Sequence, residues 1–166
     1  MSKEKYVLNQ GRHLPLEDYG WSPEFYDEMV CIAEEEPDHE WMSDGDILNN
    51  LGIIYSDGVE TDIDMDKAIK YFEKAIHYGN NLARCNLADI YRKGIGGVPV
   101  DYELAFNYYK DCGLPYAHFR VGEAYEYGRG VVKDLKMAKE FYRLAYRENH
   151  PLARVKLQLF DFLKED

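Results

Sequence analysis

Apolar and small residues recur at intervals of three and four along most of this chain. Leu48, Leu51, Gly52 and Tyr55 share one helical face. Ala68, Phe72 and Ala75 form a second stripe, widened by Ile69, Tyr71 and Ile76. Ala138, Tyr142 and Ala145 repeat that second stripe further on. Upstream, Phe25, Met29 and Ile32 line another helix, with Val30 and Ala33 beside them and acids on its far side. Ser22 as a cap and Pro23 at the first helical position mark its start. Segments this short are not stable alone in water, so the stripes must bury one another.

The pattern is a repeat. "LGIIYSDG" begins at Leu51, "LADIYRKG" at Leu87 and "VGEAYEYG" at Val121. "DKAIKYFEKA" ends at Ala75, "ELAFNYYKDC" at Cys112 and "KMAKEFYRLA" at Ala145. Each repeat predicts two helices, the first closed by Gly58, Gly94 or Gly128 in a left-handed conformation. Gly52, Ala88 and Gly122 let a neighbouring helix come close. Tyr55, Tyr91 and Tyr125 are expected to fill the space beside them, their hydroxyls reaching solvent or a backbone carbonyl. "PLARVKLQLF" begins a fourth repeat and stops, which predicts a closing helix from residue 151 to about 164.

The spaced pattern L-G-x-x-Y-x-x-G, a Gly/Val loop, Asp and K-A-x-x-[YF]-[YF]-x-x-A resembles the Sel-like repeat (SLR) family, a short-loop relative of the tetratricopeptide repeats. The resemblance covers residues 46 to about 150. It implies an all-α fold, an α-solenoid of stacked antiparallel helical hairpins. Three repeats over 46–150 would lie between an acidic N-terminal segment with a capping helix, 1–45, and a C-terminal capping helix, 151–166. The first repeat has "GVETDID" where the family places a second glycine, supplied in the others by Gly96 and Gly130. The second repeat gains a loop residue and loses three at the end of its second helix, turning early at Gly113 and Pro115.

Asp62, Asp64, Asp66 and Glu73 take the first, third, fifth and twelfth places of a calcium loop. Such a loop needs glycine at its sixth place, and Lys67 stands there. Asp64 lies four residues before Ala68, as Asp101 does before Ala105 and Asp134 before Ala138. The expected role is a helix N-cap, with no metal.

Charge changes the picture more than composition does. The formal net charge is -11, but residues 13 to 66 contain no Lys or Arg and 17 Asp and Glu. From residue 67 onward 17 Lys and Arg face 13 acids. The acidic end suits a basic protein partner and would repel nucleic acid. No apolar run is long enough to span a bilayer. Cys31, Cys85 and Cys112 lack metal or redox spacing and read as packed thiols, consistent with a cytoplasmic setting.

No catalytic motif stands out: G-x-S-x-G, H-E-x-x-H and a phosphate-binding glycine loop are absent, and His13, His39, His77, His118 and His150 are scattered. The expectation is a non-catalytic scaffold without cofactor. If the hairpins stack as in tetratricopeptide arrays, the first helices would line a concave, protein-binding surface. Its expected exposed positions are Asp46, Asn49, Ile53 and Ser56; Leu82, Cys85, Asp89 and Arg92; and Tyr116, Phe119, Glu123 and Tyr127. Glu34, Glu35, Glu36, Asp38 and Glu40 would add the acidic contact. The alternatives are an immunity-type inhibitor of a basic toxin or enzyme, and a hydrolase using the groove.

Overall fold

The computed structural model describes residues 23–36, 38–58 and 62–162. Among them are eight α-helices and no strand. In order they are α1 (Pro23–Glu35), α2 (Gly45–Asp57), α3 (Met65–His77), α4 (Asn81–Lys93), α5 (Tyr102–Lys110), α6 (Pro115–Tyr127), α7 (Leu135–Arg147) and α8 (Ala153–Phe162). The chain divides into two compact units, Met1–Asn86 and Leu87–Asp166, with the division inside α4. The first 22 residues of the expected N-terminal segment, the Ser22 cap included, lie outside the described residues.

In the first unit α2 and α3 pack as a hairpin. Leu48, Leu51, Ile54, Tyr55, Ala68, Phe72 and Ala75 are all buried there. Met29 of α1 is fully buried, and Trp41 packs beside the Phe25 ring at 5.8 Å. In the second unit α6 and α7 form the corresponding hairpin, with α8 against α7. Its core includes Phe119, Ala138, Tyr142, Ala145 and Ala153, with Tyr125, Leu157 and Phe160 packed around it.

The local chemistry repeats with the sequence. Asp64 accepts from the Lys67 backbone N–H at 2.9 Å, Asp101 from Leu104 at 2.9 Å, and Asp134 from Lys136 and Met137 at 2.9 and 3.0 Å. Each carboxylate thereby satisfies orphan donors at the start of a second helix. The N–H groups of the same three aspartates donate to the carbonyls of Tyr55, Tyr91 and Tyr125, each at 2.9 Å. One residue thus starts the second helix and ties it to the first. Gly58, Gly94 and Gly128 close the first helices in the left-handed region. The early turn expected in the second repeat is present: α5 has nine residues where α3 and α7 have thirteen.

The space beside the small residues is filled differently from the expectation. An aromatic ring from the second helix occupies it, Phe72 beside Gly52 and Tyr142 beside Gly122. The Tyr55 hydroxyl donates to the Glu34 carboxylate at 3.0 Å, not to a backbone carbonyl.

Candidate functional site

The first unit presents its acids at its N-terminal side. Glu34, Glu35, Glu36, Asp38 and Glu40 are exposed, where α1 ends and a short 3-10 helix, Glu40–Ser43, begins. Glu34 is partly committed within the fold: Lys67 Nζ donates to it at 2.6 Å in addition to the Tyr55 hydroxyl. Those hydrogen bonds, from Lys67 first and then Tyr55, hold its carboxyl below the usual range. Glu36, Asp38 and Glu40 make no ion pair among the described residues.

The positions expected to face a partner divide into two sets. Asp46 and Tyr127 are exposed, and Ile53, Ser56, Leu82, Arg92 and Glu123 are half-buried. Asn49, Cys85, Asp89, Tyr116 and Phe119 are buried, contrary to the expected exposure. The reason is contact along the first helices themselves. Asn49 Oδ1 accepts from Asn86 Nδ2 at 2.9 Å, so this face of α2 meets α4 within the first unit. Phe119 of α6 stacks on His150, just before α8, with centroids 4.3 Å apart. Asp46 accepts from Asn80 Nδ2 at 2.8 Å, while Asn80 Oδ1 caps the start of α4 through the Ala83 N–H.

Asp89 is the centre of the second unit's polar cluster. It is 6% exposed, yet its carboxylate receives four side chains. The Tyr109 hydroxyl donates to Oδ1, and the Tyr116 hydroxyl reaches both oxygens at 3.0 and 2.8 Å. Arg92 donates to Oδ1 at 3.0 and 3.2 Å, and Lys93 to Oδ2 at 3.1 Å. Burial alone would raise the carboxyl pKa. The Tyr109 hydrogen bond, the Lys93 and Arg92 charges and the Tyr116 hydrogen bond together hold it below the ordinary value. Burial and the Asp89 charge push Tyr116 up to about 12 and Tyr109 well above its usual value. Both hydroxyls therefore stay protonated as donors, and the arrangement holds side chains in place without an activated nucleophile.

Over this cluster lies a depression of about 330 Å³ including its open mouth. Arg92, Arg120 and Arg129 wall it with Glu123, Tyr102 and Tyr109, over a floor that includes Ala105, Phe106 and Ala124. Arg120 and Arg129 were not among the expected contact positions. The i, i+3 pairing of Asp89 with Arg92 was the readable signal of charge chemistry here. Among the described residues no group of three or more His, Cys, Asp or Glu could hold a metal ion, and no helix is long and apolar enough to cross a membrane.

Comparison with known proteins accounts for the hairpins. The chain is 31% identical over 124 residues to the ERAD-associated E3 ubiquitin-protein ligase component HRD3 of Candida glabrata, covering 72% of this chain and 14% of that protein. It is 32% identical over 123 residues to cytochrome c oxidase assembly factor 7 of Xenopus tropicalis, covering 70% of this chain and 52% of that one. The chain therefore spans from about a seventh to about half of these relatives. Among solved structures, a Sel1 repeat protein from Oxalobacter formigenes superposes with a TM-score of 0.66 at 28% identity, covering 81% of this chain and 97% of that one. A protective antigen of uropathogenic Escherichia coli with an SLR fold gives 0.65 at 26% identity, covering 77% of this chain and 26% of that one. The Sel1 repeat pattern matches residues 48–79, 81–110 and 115–150, so the chain belongs to the Sel1 repeat family, with its all-α, α-solenoid fold.

Proposed function

We propose that this chain is a non-catalytic scaffold that holds a basic protein partner through the acidic surface of its first unit. Sel1 repeat proteins are protein-interaction scaffolds. The names of two relatives, a ubiquitin-ligase component and an assembly factor, describe proteins that work alongside others. The observation that carries the finer reading is the exposed row Glu35, Glu36, Asp38 and Glu40, three of which make no ion pair among the described residues. Unpaired acids steer a basic partner and set its orientation. Asp46, Ile53 and Ser56 extend the proposed contact along α2.

The test compares the proteins retained by the wild-type chain with those retained by an E35K/E36K/D38K variant, at low and high ionic strength. The reading expects specific partners with basic surfaces that are lost on charge reversal and released as salt rises. Retention indifferent to both would remove the acidic surface from the contact.

A further inference from the structure

We propose that the arginine-walled depression of the second unit receives a single carboxylate, supplied by an acidic side chain on a peptide segment of a protein partner. Its walls carry the charge opposite to that of the acidic row of the first unit.

The existing contacts of the walls define what fits. Arg92 is turned onto Asp89 and the Tyr109 hydroxyl. Arg120 Nη1 donates to Glu123 at 2.5 Å, but its Nε is buried without a hydrogen-bond partner. Arg129 has no carboxylate in ion-pair range among the described residues. Its guanidinium lies 5.6 Å from the Tyr102 ring centroid and 5.1 Å from that of Tyr127. Arg92 shares Asp89 beneath the walls with Lys93, and Arg120 is paired with Glu123, so Arg129 is the lining cation left without a carboxylate among the described residues. A guanidinium edge offers parallel donors to the two oxygens of a carboxylate. Glu123 in the wall opposes a second negative charge, which favours a carboxylate over a phosphate dianion.

The site is also built in advance. Gly130 follows Arg129 with φ +73°, so close to the start of α5 that a Cβ would lie 2.0 Å from the Tyr102 carbonyl oxygen. This contact holds the backbone of the turn that carries Arg129 against the start of α5. The exposed Tyr102 ring lines the depression and the exposed Tyr127 ring lies beside the Arg129 guanidinium, which suits an acidic residue flanked by apolar or aromatic neighbours.

The experiment titrates the full chain with a fluorescein-labelled peptide, Gly-Ser-Phe-Glu-Phe-Ser-Gly, and with matched Gln and phosphoserine versions. The Glu peptide should bind saturably, and the Gln version about tenfold more weakly, for the loss of one charge-assisted pair. Arg129→Gln, an exposed change, should weaken the Glu peptide by a similar factor and leave the thermal melt in place. Lys136→Gln, outside the walls, should leave binding unchanged. Arg129 and Tyr102 amide resonances should shift on titration. Equal binding of Glu and Gln peptides, indifference to Arg129→Gln, or no binding at millimolar peptide would overturn the proposal. Tighter binding of the phosphoserine version would overturn the choice of a monoanion. An Arg129→Gln variant that turns a dimer into a monomer would replace the outside partner with a second copy of this chain.

Discussion

The Phe72 ring lies against Gly52 so closely that a Cβ on the glycine would sit 2.6 Å from two ring carbons. Real side chains do not approach that near, and the ring is fully enclosed, so one of the two helices must give way. Gly52→Ala should lower stability by about 1–3 kcal/mol, the usual cost of overpacking a filled core. Chemical denaturation measures it. Adding Phe72→Leu should recover part of the loss, and a double-mutant cycle with no coupling would contradict the contact.

Gly130 tests backbone against backbone. Its φ of +73° and the Tyr102 carbonyl leave no room for a side chain. Gly130→Ala should cost about 3 kcal/mol, in the range of the larger single-residue effects. Gly79, also at positive φ but with open space around it, is the control; Gly79→Ala should cost only about 1 kcal/mol. Equal losses at the two sites would remove the steric explanation.

Asp89 should be the most sensitive acid in the second unit. Asp89→Ala leaves Arg92 and two tyrosine hydroxyls without their buried acceptor and should destabilise by about 3–5 kcal/mol. Its folded pKa is depressed, so its contribution is complete above the unfolded value of about 3.9. It is lost as pH falls through the folded value. Acid denaturation followed by circular dichroism should show a steeper loss in the wild type than in the alanine variant, which keeps only the slope of the other depressed carboxyls such as Glu34.

His150 predicts a second pH dependence at milder acidity. It is 7% exposed, its Nδ1 has no partner, and burial first, then the Arg120 charge, lower its pKa, with Glu123 opposing. The unfolded chain therefore takes up the proton first. Stability is complete above the unfolded value of about 6.5 and declines as pH falls toward the folded value. His150→Asn should flatten the wild-type slope just below about pH 6.5. A slope unchanged in thermal melts across that window would contradict the buried, neutral histidine.

The helices were legible because their signals are local. An aspartate four places before an alanine, a glycine after a tyrosine and a stripe of small and aromatic residues all lie within one repeat. The inward and outward faces of the first helices were less legible. Asp89 reads as surface by residue type. What makes its burial tolerable is a pair of hydroxyls from Tyr109 and Tyr116, on two later helices. Phe119 reads as an aromatic anchor until His150 is found covering it. The arginine-walled depression was hidden for the same reason. Arg92, Arg120 and Arg129 come from α4, from α6 and from the turn after α6, and no spacing in the chain joins them.

The capping aspartates constrain how this protein can be recharged. Asp44, Asp64, Asp101 and Asp134 each begin a helix, and Asp89, Glu34 and Glu126 each receive a tyrosine hydroxyl. Seven of the 31 Asp and Glu are therefore tied into the architecture. A redesign aiming for neutrality has free choices at Glu35, Glu36, Asp38 and Glu40, where altering solubility and altering the proposed contact become the same edit.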